Sequence, residues 1–473
     1  MRHQSVRLDI KAAHEAAYKF IEAGDYKNAE QLLQQLLNIR PGNGSSLYYM
    51  GIVCLQTGRK GLAVTLLRQA ANALKDRPEA WMTLGCALSE CAETDEAVKC
   101  HLEAAKLDPM CALHPSNIAG SQINMGRYDE VIRWARKAYT LDATDPNARW
   151  HLALGHLEKG IITPQVWEWH EARREISSSN GKKRHYPGDP YLWDGRPTDR
   201  LVIHGEQGLG DEIMFASCIP DLFHHATRPV IECAPRLAGL FQRSFGHWGV
   251  RIVGTHDLEG KDLPEGFVPD AYCPLGSLPR LFRPSVESFP GTPYLIPDRE
   301  KVAAIRARLP EGKLRVGLAW QGGSSTTRID LRSLHPEQLR PIIAQDCEFI
   351  SLQYTKQAAT DAASIGIHHW PEAEADDMDD VAALIASCDL VITVCTTAVH
   401  IAGALGVPCW VLVPSGHAWR YGGTGETMPW YGSVRLFRQK GANWDETIGK
   451  VADGLADYRE LPAAERAASR RAA

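Results

Sequence analysis

No run of about 18 apolar residues occurs in the chain, so no membrane-crossing helix is expected. The start, Met1 to Phe20, lacks an apolar stretch of signal-peptide length, which points to a cytoplasmic protein. The 12 cysteines follow no repeated C-x-x-C spacing, so they imply no zinc framework. Cys86, Cys91 and Cys100 read instead as small buried hydrophobes in a reducing compartment. Charge imbalance is slight: the formal net charge of -5 suggests neither a nucleic-acid nor a membrane partner. What remains is an ordinary globular composition, 44% apolar and 23% charged, and 473 residues suggest about three domains.

The first third repeats. Ala23 to Glu30 recurs in outline at Gly58 to Ala63, at Glu93 to Ala97 and at Gly126 to Val131. Each segment reads as a turn followed by an amphipathic helix, with helix ends near Pro41, Pro78, Pro109 and Pro146. The period of roughly 34 is the tetratricopeptide (TPR) length. Trp81, Leu84, Gly85, Ala97, Ala104 and Pro109 make the third unit the clearest. The second has extra residues before Pro78, the fourth replaces the usual small residue with Val131, and a degenerate fifth runs from Trp150 to Gly160. Stacked units bury a continuous core and leave a groove for a protein segment; a dimerising or stiffening element is the plainer reading.

Ser177 to Arg184 is polar and Gly/Ser-rich, and reads as a linker or exposed loop. Beyond it, short apolar runs alternate with helical patterns. Strands are expected at Leu201–His204, Pro229–Cys233, Arg315–Trp320, Glu348–Leu352, Leu390–Val394 and Val407–Val413. That alternation predicts parallel sheets covered on both faces. The Pro-rich stretch Phe289 to Pro297 reads as the hinge between two Rossmann-like lobes. The expected division is 1–175 TPR repeats, 176–190 linker, 191–297 first lobe, 298–443 second lobe, and 444–473 a C-terminal helix and tail.

Three loops carry candidate chemistry. Gly205 to Glu212 follows the first strand and opens a helix near Ile213. It has no Gly-Lys-Ser/Thr and so is no P-loop, and its glycine order differs from the dinucleotide fingerprint. Gly208 and Gly210 allow close backbone approach. Asp211 is either a general base for an acceptor hydroxyl or the N-cap of the next helix. Trp320 to Ser333 follows the first strand of the second lobe and offers Gln321, Arg328 and Arg332 to a leaving diphosphate, or else is an ordinary surface loop. Thr393 to Gly406 is a strand end, two threonines and a helix start. Thr396, Thr397 and His400 there bind phosphate, or form a plain cap and a packed histidine. The acidic run Asp376 to Asp380 precedes a helix from Val381 to Ser387 and reads as a solvated helix start, with no metal.

These residues resemble a known family. From about Trp167 to Gln439 the chain looks like the bacterial heptosyltransferase-like glycosyltransferases of GT-B fold, and as a whole like their TPR-containing members. The likeness rests on Trp193-Asp194-Gly195, His204 to Asp211, Trp320 to Ser333, Asp380 to Gly406, Trp419-Arg420, Pro429-Trp430-Tyr431 and Leu436 to Gln439. It implies a TPR solenoid followed by two Rossmann-like lobes. It also implies metal-independent, inverting transfer from a nucleotide-sugar, without a cofactor. Asp211 matches the family's general base, Arg332 a basic position near the donor phosphates, and Thr396, Thr397 and His400 the phosphate-binding helix start. Some members modify proteins, flagellin included, so a protein acceptor recruited by the repeats is expected. Alternatives are a glycan or small-molecule transferase, a sugar-nucleotide epimerase or hydrolase, and a non-catalytic scaffold. One position departs from the family: Cys395 stands where related sequences carry aspartate.

Overall fold

The computed structural model describes residues 9–176, 184–323, 329–415, 418–441, 443–462 and 464–466, without the side chains of residues 224 and 330. The chain forms two compact units, Met1–Gly155 and His156–Ala473.

The first unit is helical. It pairs α1 (Ile10–Glu22) with α2 (Tyr26–Ile39), α3 (Gly44–Gln56) with α4 (Lys60–Ala73), α5 (Pro78–Glu90) with α6 (Thr94–Leu107), and α7 (Leu113–Asn124) with α8 (Tyr128–Leu141); α9 (Pro146–Glu158) follows. The repeat is more regular than its prolines suggest. A left-handed residue ends the first helix of each pair at Gly24, Gly58, Ala92 and Gly126, and another follows α9 at Gly160, a spacing of 34 at every step. Glycine takes that conformation without a Cβ clash, and only Ala92 breaks the pattern. The second unit therefore has no insertion. The prolines are unevenly spaced because Pro41 and Pro109 follow a helix, whereas Pro78 and Pro146 open one at its first position. Small residues set the pair spacing: a Cβ on Gly85 would lie 2.5 Å from the His101 ring, and Ala97 and Ala104 are wholly buried. Val131, the larger residue of the fourth unit, is also fully buried and lies beside Gly155.

The second unit begins with α10 (Pro164–His170). Then come β1 (Tyr191–Leu192), β2 (Leu201–His204), α11 (Leu209–Phe215), β3 (Val230–Cys233), α12 (Ala238–Phe245), β4 (Arg251–Gly254), β5 (Ala271–Pro274), α13 (Leu278–Phe282) and α14 (Arg299–Arg306). A second series follows: β6 (Arg315–Ala319), α15 (Arg340–Ile343), β7 (Glu348–Ser351), α16 (Ala358–Ser364), β8 (His368–His369), α17 (Met378–Ser387), β9 (Leu390–Val394), α18 (Thr397–Ala404), β10 (Cys409–Val413), β11 (Thr427–Met428), β12 (Tyr431–Arg438) and α19 (Asp445–Glu460). The first sheet is ordered β1-β5-β2-β3-β4 and wholly parallel. The second is ordered β11-β12-β10-β9-β6-β7-β8 and parallel except for the β11–β12 hairpin. Every residue of β9 and β10 is buried, as expected of parallel strands covered on both faces.

One apolar core runs through both sheets' helices and includes Phe215, Phe241, Phe245, Tyr294, Val399, Trp430 and Tyr431. A second lies between the other face of the β6–β12 sheet and α19. The stretch expected as a hinge is bonded to both sheet-centred lobes. Tyr294 N and Leu295 N donate to Ala404 O, and the Tyr294 hydroxyl donates to Ile213 O at 2.6 Å. The acidic run differs from expectation too. Asp377 caps α17, while Asp379 is buried and accepts from Arg243 of α12. The run is thus a helix start with its first two members exposed, as expected, but Asp379 is buried and joins the lobes. Residues 177–183 of the expected linker lie outside the described residues; Arg184, just after them, donates to the buried Glu232 at 2.8 Å.

Candidate functional site

In an open parallel sheet the crevice forms where successive connections leave in opposite directions, beyond the carboxyl ends of the strands. The first sheet reverses between β2 and β5, the second between β6 and β9. The three candidate loops follow β2, β6 and β9, so all three open at these two reversal points.

The loop after β2 is held rigidly. Glu206 Oε1 accepts from Gly276 N beyond β5 at 2.9 Å and from the buried Arg173 at 2.6 Å. Gln207 is left-handed at φ 68°, a conformation that costs a non-glycine residue about 1–2 kcal/mol. Gly208 is the N-cap of α11, so Asp211 lies inside the first turn and is not the cap. That removes one of the two readings of Asp211. A carboxylate in a first helical turn is favoured by the helix dipole. Here it also accepts a bond from Arg420, and both side chains are mostly buried. Burial works against the Arg420 charge, but Asp211 outweighs it and raises the guanidinium above its usual range.

Helix α11 packs on α18. Gly210 makes this possible: a Cβ there would lie 2.8 Å from His400 Cδ2. His400 is buried, and its Nδ1 lies 3.1 Å from the Tyr431 hydroxyl. Burial and then the Arg420 charge push its pKa well down, so the ring is neutral near pH 7. Thr396 is the N-cap of α18, accepts from Ala398 N and lies 3.1 Å from the Thr393 hydroxyl. Thr397 opens the helix and is half-buried.

The loop after β6 presses on this turn. A Cβ on Gly322 would meet Thr396 Cγ2 at 2.5 Å and Cys395 O at 3.0 Å. The Gln321 backbone is clamped by Gln353, whose amide oxygen accepts from Gln321 N and whose nitrogen donates to Gln321 O. Arg328 lies outside the described residues. Arg332 is half-buried, and its Nε has no hydrogen-bond partner among the described residues. Arg420 Nε and Arg438 Nη1 are also buried without partners among the described residues, as are the Ser333 hydroxyl and Trp320 Nε1.

All three guanidiniums act electrostatically on Cys395. Its thiol is pushed up to about 12 by burial, so the departure from aspartate leaves a neutral group among cations. Arg438 is fixed by the carbonyls of Tyr421, Thr424 and Gly425, and burial lowers its pKa. Sequence reasoning quoted Arg420, Tyr431 and Arg438 only as parts of the resemblance and missed Gln353. Their roles come from residues far apart in the chain, such as Asp211 with Arg420. Only the polar Gln353 just after a buried strand, β7, gave a local signal.

The arrangement gathers one carboxylate, one neutral imidazole and three guanidiniums with unused donors. Such a site suits an anionic ligand.

Residues 20–109 match the family model for the tetratricopeptide repeat. The N-terminal array is a TPR solenoid. The chain is 29% identical to Protein FlbA of Caulobacter vibrioides over 454 residues, covering 89% of this chain and 74% of FlbA. That share extends well beyond the TPR solenoid into the sheet-bearing unit. The chain is also 30% identical over 95 residues to Tetratricopeptide repeat protein 7A of Homo sapiens, covering 20% of this chain and 11% of that protein. Among solved structures, MamA is 20% identical at a TM-score of 0.31, covering 33% of this chain and 91% of that one. YrrB, described as a TPR protein with an unusual peptide-binding site, is 14% identical at a TM-score of 0.31, covering 35% and 84%. No described helix is long and apolar enough to cross a membrane.

Proposed function

We propose that the sheet-bearing unit is a metal-independent glycosyltransferase of GT-B architecture. It would use a nucleotide-sugar and act on a protein acceptor that the TPR solenoid recruits. The observation that carries this reading is the set of three arginines, 332, 420 and 438, each with an unpartnered N–H among the described residues, which all act on Cys395 at the end of β9, Arg420 also bonding Asp211. Buried donors without acceptors are costly, about 1–3 kcal/mol each, and a diphosphate would satisfy them.

In this reading the acceptor hydroxyl oxygen attacks the anomeric carbon of the donor and its proton passes to Asp211. The bond from that carbon to the diphosphate oxygen breaks, and the negative charge that develops falls among Arg332, the Thr396–Thr397 helix start and Arg420. Neutral His400 suits a hydrogen-bonding role and not a cationic one. The Asp211–Arg420 bond gives the sequence an order. An arriving diphosphate competes for Arg420, and Asp211 is then released to accept a proton.

A calorimetric panel of nucleotide mono- and diphosphates tests the cleft, and intact-mass analysis of candidate acceptors, flagellin among them, tests transfer. Binding of no nucleotide diphosphate would remove this reading.

The same ion pair favours a second reading. A carboxylate engaged by Arg420 is a structural joint, as in a TPR scaffold whose second unit is not catalytic. Such a scaffold would bind its partner with or without Asp211 and would show no turnover.

A further inference from the structure

We propose that Asp108, Cys111 and His114 form a metal site in the TPR solenoid, suited by ligand type to zinc. The ligand atoms of all three residues lie within 4.8 Å of one another. About 3.5 Å separates neighbouring ligands of a tetrahedral zinc, so small side-chain rotations close the set. One thiolate, one imidazole and one carboxylate are the donors zinc takes, and three of them leave a fourth position open.

The local fold explains the convergence. Asp108 ends α6, Pro109 prevents the helix from continuing, and α7 starts at Leu113. Cys111 lies in this short connection just before the N-cap Ala112, and His114 is the second residue of α7, so the turn between the two helices carries all three side chains.

A second observation points to a ligand. His114 is 3% exposed, and neither of its ring nitrogens has a hydrogen-bond partner among the described residues. A buried imidazole with both nitrogens unsatisfied is unusual, and a metal ion at one of them supplies the missing interaction. Cys111 is a free, part-exposed thiol, unlike the buried Cys54 and Cys100 of the same unit, so an ion can reach it. On binding, the Cys111 thiol proton leaves to solvent as the metal–sulfur bond forms.

The site has a consequence for the solenoid. Residues interleaved with the three ligands, Met110, Ala112 and Leu113, line a cavity of about 400 Å³ whose other wall runs from Leu141 to Pro146. A metal bound by 108, 111 and 114 would fix one wall of that cavity. This is separate from the cleft of the second unit, where transfer is proposed to proceed without a metal.

The test is cobalt(II) titration of the metal-stripped full chain. The expected result is one equivalent bound with a thiolate-to-cobalt charge-transfer band that zinc abolishes by displacement. Cys111→Ser should lose that band while keeping wild-type circular dichroism, and zinc should raise the thermal midpoint of the wild type but not of this variant. Absence of the band in the wild type, or its survival in Cys111→Ser, would overturn the proposal. Asp108→Asn, at a part-exposed position, gives a second check and should weaken cobalt binding; unchanged binding would take Asp108 out of the site.

Discussion

Asp211 on α11 and Arg420 in the loop after β10 bond to each other across the two lobes, with little exposure of either side chain. Each therefore controls the other's availability, and the two single variants should behave oppositely. Asp211→Asn should lower transfer by about 10²–10⁴-fold, the usual worth of a general base. The same change frees Arg420, so nucleotide diphosphate affinity should stay equal or rise in calorimetry. Arg420→Ala leaves a mostly buried carboxylate unpaired and should cost about 1–3 kcal/mol of stability as well as affinity. Weaker diphosphate binding in Asp211→Asn would show that Arg420 does not serve the ligand.

Two glycines of one loop should respond differently to alanine. At Gly210 an added Cβ meets the His400 ring at 2.8 Å, so α11 and α18 must part. Gly210→Ala should destabilise by about 1–3 kcal/mol. It should also cut transfer by up to about 10²-fold by misplacing Asp211. At Gly208 the nearest atom is Asp211 Oδ2 at 3.8 Å and φ is -118°, so Gly208→Ala should be nearly neutral. Denaturant midpoints and turnover of the two variants check the contrast; equal effects would mean that the α11–α18 approach is not set by Gly210.

The repeat offers a stabilising change. Ala92 is left-handed at φ 62°, where the other repeat turns carry glycine. Ala92→Gly removes Cβ strain of about 1–2 kcal/mol against a loss of about 0.5–1 kcal/mol for the freer unfolded chain. The net expectation is a gain of up to about 1 kcal/mol, read as a higher urea midpoint with an unchanged slope. A lower midpoint would show that the turn holds Ala92 without strain.

Local pattern carried the strands because a parallel strand covered on both faces is written as a run, such as Leu390 to Val394. It missed the two-residue strands β1, β8 and β11, the four-residue β4 and β5, which include Arg251 and Pro274, and the eight-residue β12, whose Gly432, Ser433 and Arg435 break the apolar run. The 34-residue period was legible, but its regularity was hidden by prolines that open some helices and follow others. The candidate site was legible at Asp211, Thr396 and His400 because each sits where a strand gives way to a helix. The partners were not. Arg420 meets Asp211 from 209 positions away, and Gln353 reaches Gln321 across 32. A window along the chain reports periodicity and turn chemistry, whereas an ion pair between lobes exists only once the sheets are assembled.

Arg332 allows the proposed diphosphate contact to be tested apart from the proposed transfer. Its Nε lacks a partner among the described residues, and its one hydrogen bond there is the backbone one from Arg332 N to Ile329 O. Arg332→Ala should therefore fold normally and weaken nucleotide diphosphate binding by about tenfold, the loss of one charge-assisted contact. Nucleoside affinity should not change, since only the phosphates would meet the guanidinium. Equal loss for nucleoside and diphosphate would place Arg332 away from the phosphates.

Glu212 gives the pH dependence a sign. Burial raises its pKa to about 7, while Ala234 N–H donates to it and works in the opposite direction. The folded state thus holds this proton more tightly than the unfolded chain, in which the carboxyl titrates near 4.5. Below about 4.5 both states are protonated and the stabilisation is fully present; it fades as pH rises toward 7. The loss over that interval is about 3 kcal/mol, because each pKa unit is worth about 1.4 kcal/mol. Glu212→Gln keeps an oxygen to accept from Ala234 N–H and carries no charge to bury. It should be more stable than wild type at pH 8 and about equal at pH 4.5. The buried histidines, with folded pKa values below 6.5, act in the opposite sense but are common to both proteins and cancel in the difference. Thermal midpoints of the pair at several pH values between 4.5 and 8 should therefore diverge steadily; parallel curves would mean that Glu212 is charged and solvated throughout.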